Sequence, residues 1–220
     1  DNIDVKYAEA NGITVRNTPR ASSQSVAELA MGHMFACARF LSIAGHTMRE
    51  QKWEKKAYAK GIELQGKTLG IIGYGHIGTQ VGVMAEALGM NVVFHDIETK
   101  LSLGNAHPAA GLDDLLARAD VVTLHVPETA STQWMIGAAQ LAKMKRGAHL
   151  INAARGTVVD IDALDAALES GHLGGAAVDV FPVEPKGNGD IFESPLTRHD
   201  NVILTPHVGG STLEAQDNIG

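Results

Sequence analysis

Leu69-Gly-Ile-Ile-Gly73-Tyr-Gly75-His-Ile-Gly78 is the stretch on which the reading of this 220-residue chain turns. An apolar run flows directly into Gly73-x-Gly75-x-x-Gly78, which describes a buried strand, a glycine turn and the start of a helix. A phosphate-binding turn needs these residues at this spacing. Gly73 lets the chain reverse, Gly75 lets backbone approach a pyrophosphate, and Gly78 lets helix and strand pack closely. The helix N-terminus then offers unpaired N–H groups and a positive dipole end to the phosphates.

Working outward, Val81 to Leu88 continues the helix, Gly89 suits the left-handed residue that ends it, and Asn91 to His95 is a second apolar strand finishing at Asp96. Asp96 stands near the position, ~20 residues beyond such glycines, where a carboxylate hydrogen-bonds an adenosine ribose. A negative charge there repels a 2′-phosphate, so the spacing favours NAD over NADP.

The alternation continues to the end of the chain. Strands are expected at Leu69 to Ile72, Asn91 to His95, Val121 to His125, His149 to Ala153, Ala176 to Val180 and Val202 to Leu204, with helices beginning near Ile77, Leu112, Ala138 and Ile161. Continuous Val/Ile/Leu strands separated by helices specify an α/β fold, a doubly wound parallel sheet covered on both faces. Ligands of such sheets sit beyond the carboxyl ends of the strands. There the sequence places its polar exceptions, Asp96, His125, Arg155, Asp179 and His207.

Composition narrows the function classes. A net charge of −7 and the lack of a basic run with interleaved aromatics argue against nucleic acid, so an anionic ligand must be captured by local positive charge. No segment is long and apolar enough to suggest a membrane span. The ten histidines include no i,i+3 or i,i+4 pair and there is no cysteine cluster, so no metal is expected. Cys37, the single cysteine, lies in a small-residue helical run, reads as packing, and leans towards a reducing cytoplasm.

Asp4 to Asn11 reads as a helix closed by Gly12, and Ile13 to Val15 as a short strand. Together they look like the end of a preceding domain, with Pro19 to Ser23 as the crossover, and the start at Asp1 without a methionine suggests a fragment. Ser25-Val-Ala-Glu28 reads as a capping box opening one long helix over 25–48, whose apolar residues cover more than one face. Such a helix is expected either to pack on its own domain and on a partner subunit, in a homodimer or homotetramer, or to be buried within this chain alone. Gln51 to Lys67, rich in lysine with a lone Trp53, reads as a solvated connector.

Three stretches look odd as scaffold: Asn152-Ala-Ala-Arg155-Gly156, Asp179-Val-Phe-Pro-Val-Glu184-Pro185 and Thr205-Pro-His207-Val-Gly209-Gly210-Ser-Thr212. Their Asn-x-x-Arg-Gly, Glu-Pro and His-x-Gly-Gly motifs, in this order and spacing, resemble those of the D-isomer-specific 2-hydroxyacid dehydrogenases. The likeness runs over nearly the whole chain. Longer runs such as Leu124-His-Val-Pro-Glu128 and Arg155-Gly-Thr-Val-Val-Asp160 are most similar to the members that oxidise 3-phosphoglycerate.

The resemblance implies roles residue by residue. His207 matches the acid/base histidine, Glu184 the carboxylate that pairs with it and favours its protonated form, and Arg155 the arginine that holds substrate. Asp179 matches an acid near the nicotinamide, and His125, Val126 and Pro127 a loop beside the adenosine. His76 and Ile77 of the glycine turn, Ala153 and Ala154 ahead of Arg155, and Gly209 and Gly210 after His207 match further cofactor contacts.

The implied activity is NAD-dependent oxidation of 3-phosphoglycerate to 3-phosphohydroxypyruvate, opening serine synthesis, with a small phosphorylated 2-hydroxy acid as substrate. The alternatives are a sister activity on glyoxylate, hydroxypyruvate or D-lactate, or an NAD-sensing, co-repressor-like binding module. Residues 1–20 then end a substrate domain, 21–212 form the NAD-binding domain and 213–220 begin a return segment. These residues alone are expected to bind cofactor and turn over poorly. Arg146, His149 and Ala154 depart from the family's usual choices.

Overall fold

The computed structural model describes residues 3–18, 20–187 and 189–219. Seven strands lie in one fully parallel sheet, in the order β3-β2-β1-β4-β5-β6-β7. They are β1 (Thr68–Ile72), β2 (Asn91–His95), β3 (His107–Pro108), β4 (Val121–Leu124), β5 (His149–Asn152), β6 (Gly175–Val178) and β7 (Val202–Leu204). Strand β1 pairs with β2 on one side and β4 on the other, so the winding reverses at β1 and a crevice opens beyond Ile72 and Leu124.

Alternate strand residues feed two apolar layers. On one face Val122, Leu124, Leu150 and Val178 meet Leu115 and Leu116 of α5 (Leu112–Arg118), Leu141 of α6 (Ala138–Leu141) and Leu164 of α7 (Ile161–Glu169). On the other, Leu69, Ile71, Phe94 and Ile151 meet Ala30 and Met34 of α2 (Ser23–Arg39) and Val81 and Ala85 of α4 (His76–Ala87). Burial on both faces explains why the strands read as unbroken apolar runs. Helix starts follow local capping. Asp160 accepts from the Ala163 N–H to open α7, and Asp4 accepts from the Tyr7 N–H to open α1 (Val5–Ala10).

The structure corrects the single helix over 25–48. The chain forms α2 and then α3 (Leu41–Arg49), bent by 67° about Phe40, which adopts φ 55°. The break has its cause in a later segment: the Ala38 carbonyl is taken at 2.9 Å by the Ile62 N–H of the returning connector. The Phe40 ring lies 6.2 Å from that of Tyr58 in the same connector. Nor is Ser25 a cap. The helix begins at Ser23, and the buried Ser25 hydroxyl meets the Thr212 hydroxyl at 2.8 Å.

Ile13 to Val15 is extended but pairs with no strand among the described residues, so it is not a strand. Of the crossover expected at Pro19 to Ser23, Pro19 lies outside the described residues, Arg20 to Ser22 form a turn, and Ser23 already opens α2. Asp1, Asn2 and Gly220, at the ends of the expected domain division, lie outside them too. The edge strand β3 has no counterpart in the sequence reading; two residues are too few to show a period, and Pro108 fits an edge. Three strands stop short of their expected ends, at Leu124, Asn152 and Val178, so His125, Ala153 and Val180 stand past the sheet. Helix α8 (Leu213–Ile219) closes the described chain, and no single helix in it is long and apolar enough to cross a membrane.

Candidate active site at the carboxyl end of the sheet

The glycine turn behaves as steric argument requires. Gly73 has φ 90°, and a Cβ on it would stand 2.5 Å from the His125 carbonyl oxygen. A Cβ on Gly78 would collide with the Gly73 carbonyl, which explains the close join of β1 and α4. Gly75, by contrast, has nothing within 4 Å of where its Cβ would be. It precedes α4 with no side chain capping the helix. Open space at Gly75 and an uncapped helix end leave backbone N–H groups ready for an anion.

Beside this turn lies a cleft of about 470 Å³. His76 and Ile77 line it from α4, His125, Val126 and Pro127 from the end of β4, and Ala153, Ala154 and Arg155 from the end of β5. Asp179 lines it from the end of β6, and His207, Gly209 and Gly210 from the turn after β7. Five successive segments therefore deliver the sequence-predicted residues to one crevice. Gly73, Gly75 and Gly78 form the adjoining turn and are not part of the lining. Asp96 also stands apart, its carboxylate accepting the Tyr74 N–H at 2.8 Å and the Glu98 N–H at 2.9 Å. Lone pairs remain on both oxygens for a further donor.

Glu184 lies outside this cleft, in a second cavity of about 650 Å³ that His207 also lines. The His207 Nδ1 is 2.8 and 3.0 Å from the two Glu184 oxygens. A carboxylate only accepts, so Nδ1 carries a proton in this contact, and in the neutral ring the lone pair is on Nε2. Burial opposes charge on Glu184 and is the largest single influence. Hydrogen bonds from His207 and the Phe181 N–H, with the charges of His207 and Arg155, outweigh it together and hold the carboxyl below its ordinary range.

The turn carrying His207 hangs on Asp179, which is 1% exposed. One carboxylate oxygen accepts the Thr205 hydroxyl at 2.5 Å and the Val208 N–H at 2.9 Å; the other accepts the Gly209 N–H at 2.9 Å. The Asp179 carbonyl takes the His207 N–H at 2.8 Å. His207 itself has φ 52°, an uncommon conformation held by these bonds. Asn152 does similar work for Arg155: fully buried, it accepts the Ala154 N–H and donates to the Arg155 carbonyl. Gly156 then passes so close to the Phe181 backbone that any Cβ would overlap it.

His125 donates to or accepts from Thr123 through Nε2 at 3.0 Å, while its Nδ1 is buried without a partner. Burial pushes its pKa down to about 3, so the ring is neutral. Cys37 is buried too, its thiol pushed up to about 12, which makes it packing material.

Ser22, Ser23 and Val26, at the start of α2, complete the cleft wall and were not anticipated. The signal was present in Gly209 and Gly210. A Cβ on Gly210 would meet the Ser22 Cβ at 3.3 Å, and one on Gly209 would lie 3.5 Å from Val26 and Leu29. The paired glycines admit the helix end to the turn.

Residues 31–209 match the D-isomer specific 2-hydroxyacid dehydrogenase, NAD binding domain family. The chain is 56% identical over 218 residues to D-3-phosphoglycerate dehydrogenase of Escherichia coli (strain K12), covering 99% of this chain and 53% of that protein. It is 49% identical to D-3-phosphoglycerate dehydrogenase 2 of Saccharomyces cerevisiae, covering 99% of this chain and 48% of the relative. The chain thus spans about half the length of these curated relatives. Among solved structures, D-lactate dehydrogenase from Aquifex aeolicus, complexed with NAD and lactic acid, superposes with a TM-score of 0.86 at 34% identity, over 100% of this chain and 69% of that one. With the glycine turn, the open helix end and the crevice at the winding reversal, the chain belongs to the D-isomer specific 2-hydroxyacid dehydrogenase family and comprises its NAD-binding domain.

Proposed function

We propose that the protein oxidises 3-phosphoglycerate to 3-phosphohydroxypyruvate, with NAD in the crevice between Gly75 and His207, at the opening of serine synthesis. The pairing of His207 Nδ1 with Glu184 carries the reading, because it leaves Nε2 as a base beside the cleft. The names of the relatives at 49–56% identity support the choice of substrate. NAD, when bound, supplies the acceptor for the hydride that leaves C2.

The chain's own residues handle the proton and the carboxylate. Arg155, projecting past β5, forks onto the substrate carboxylate or the developing carbonyl oxygen. His207 takes the hydroxyl proton at Nε2, and such acid/base help contributes ~10²- to 10⁴-fold in rate. Glu184 keeps the proton on Nδ1 before the transfer and balances the imidazolium after it. Asp179 holds the His207 turn through the Thr205, Val208 and Gly209 donors.

We assign residues 21–212 to the cofactor domain, 1–20 to the end of a substrate domain and 213–220 to a return segment. The exposed apolar side chains Val5, Tyr7 and Ile13 support a further surface over α1. We infer a homo-oligomer built on the α2–α3 side, where Phe35, Leu41 and Met48 are exposed, and a cytoplasmic site of action suited to one buried thiol.

NADH oxidation by the full-length protein, with 3-phosphohydroxypyruvate, glyoxylate, pyruvate and 2-oxoglutarate at equal concentration, tests the reading. Strong preference for the phosphorylated acid is the expected result. Preference for an unphosphorylated acid moves the protein to a sister activity, and no turnover on any of them overturns the enzymatic reading.

A further inference from the structure

Arg20 stands in the turn leading into α2, on the rim of the cofactor cleft. Its backbone is anchored there, since the Arg20 carbonyl accepts the N–H of Ser23, a cleft-lining residue, at 3.2 Å. Its side chain crosses to α4, where the guanidinium Nε meets the His76 Nε2 at 3.2 Å. A guanidinium has no acceptor, so it donates and the His76 ring receives with a lone pair, its own proton on Nδ1. The imidazole thus fixes the guanidinium by one edge. Both Nη groups are left without a protein partner among the described residues.

The position is electrostatically purposeful. His76 is the first residue of the 12-residue α4, immediately after Gly75 with its open approach. A helix end supplies only about half a positive charge, while a dinucleotide's pyrophosphate carries two negative ones. The chain is acidic overall at −7, and Arg155, the cation at the substrate end of the cleft, is committed elsewhere in the proposed mechanism. A full positive charge at the mouth of α4, with two planar donors free, is the complement that the pyrophosphate lacks.

We propose that Arg20 is a ligand of the cofactor's pyrophosphate, pre-oriented by His76 and reaching over the N-terminus of α4 from the segment before α2. The assignment rests on the reading of this cleft as the dinucleotide site. It also gives the α2 approach a binding role, so that the segment joining the first residues of the chain to the cofactor domain closes on the phosphates it helps to hold.

Calorimetric titration of the full-length protein with NADH, ADP-ribose and adenosine, at low and high salt, tests it in the wild type and in Arg20→Ala, Arg20→Lys and, as a control on the same exposed segment, Arg16→Ala. Arg20→Ala should weaken NADH and ADP-ribose by ~5- to 10-fold, the loss of one charge-assisted contact, and leave adenosine within about twofold. Its affinity should fall less steeply with salt than the wild type's. Arg20→Lys should recover part of the loss, because it keeps the charge without the fork. Arg16→Ala should bind like the wild type. Wild-type NADH affinity in Arg20→Ala overturns the proposal, and so does an equal loss for adenosine, which would mark a strap that only shapes the cleft. A wild-type protein that binds no NADH overturns the dinucleotide reading itself.

Discussion

The Nδ1 of His207 lies 2.8 and 3.0 Å from the two carboxylate oxygens of Glu184, so one imidazole N–H is shared across the whole carboxylate. Neither residue shares a secondary-structure element with the other, and 23 positions separate them. His207 lines both cavities at this end of the sheet, while Glu184 lines only one of them. Substituting His207→Asn should lower turnover by ~10²- to 10⁴-fold, the usual worth of a general base, and leave NADH affinity within about threefold. Steady-state rates with a parallel NADH titration check it; retained turnover would sink the acid/base assignment.

Asp179→Asn separates charge from hydrogen bonding in the turn. An amide keeps one acceptor oxygen and turns its NH₂ towards a donor, so either the Gly209 N–H or the Val208 and Thr205 donors lose their partner. Leaving a buried donor unsatisfied costs ~1–3 kcal/mol, and the variant's unfolding free energy from urea titration should drop by that much. Turnover should fall further than NADH affinity, since His207 loses its support.

Two glycines of one turn should respond in opposite ways. Gly75→Ala places its methyl in open space, so stability should stay within about 0.5 kcal/mol of wild type while NADH binding weakens markedly. Gly78→Ala drives a methyl into the Gly73 carbonyl, so the variant should lose stability before any question of binding arises. Thermal melts and NADH titrations on the pair distinguish a ligand approach from a packing contact.

Acid sensitivity should follow from buried imidazoles. Burial pushes the His125 pKa down to about 3 and lowers those of His33 and His149 in the same direction. Each folded-state value lies below the unfolded one, so stability is complete above pH ~6.5 and declines as the pH falls towards the folded-state values. His125 alone should remove about 2 kcal/mol between pH 6.5 and 5, at ~1.4 kcal/mol per pH unit. Unfolding free energies of wild type and His125→Gln, measured from pH 8 to 4.5, should converge in acid; parallel curves would refute the assignment.

Much of this was legible in the sequence because its causes are local. The run from Leu69 to Gly78 needs only steric rules within ten residues to become a strand, a reversal and a helix. The other core strands declare themselves by unbroken apolar runs, since each is buried on both faces whatever its neighbours are. Placing polar residues just past those runs puts them on one edge of a parallel sheet, so Arg155, Asp179 and His207 share a crevice once the fold is known.

Tertiary structure decided the rest, where the cause lies far along the chain. The bend at Phe40 follows from the connector's claim on the Ala38 carbonyl, which no periodicity in residues 25–48 announces. Ile13 to Val15 has strand-like residues without a neighbouring edge, and a strand exists only through its partner. Ser25 has the sequence of a cap but bonds Thr212, 187 positions away. Likewise the carboxylate of Asp179 is spent on the turn around His207, and the start of α2 enters the cleft because Gly209 and Gly210 leave it room. Residue types and their spacing determined the elements and the edge on which chemistry gathers; the hydrogen bonds that aim each side chain were decided by packing between distant segments, which local preference does not encode.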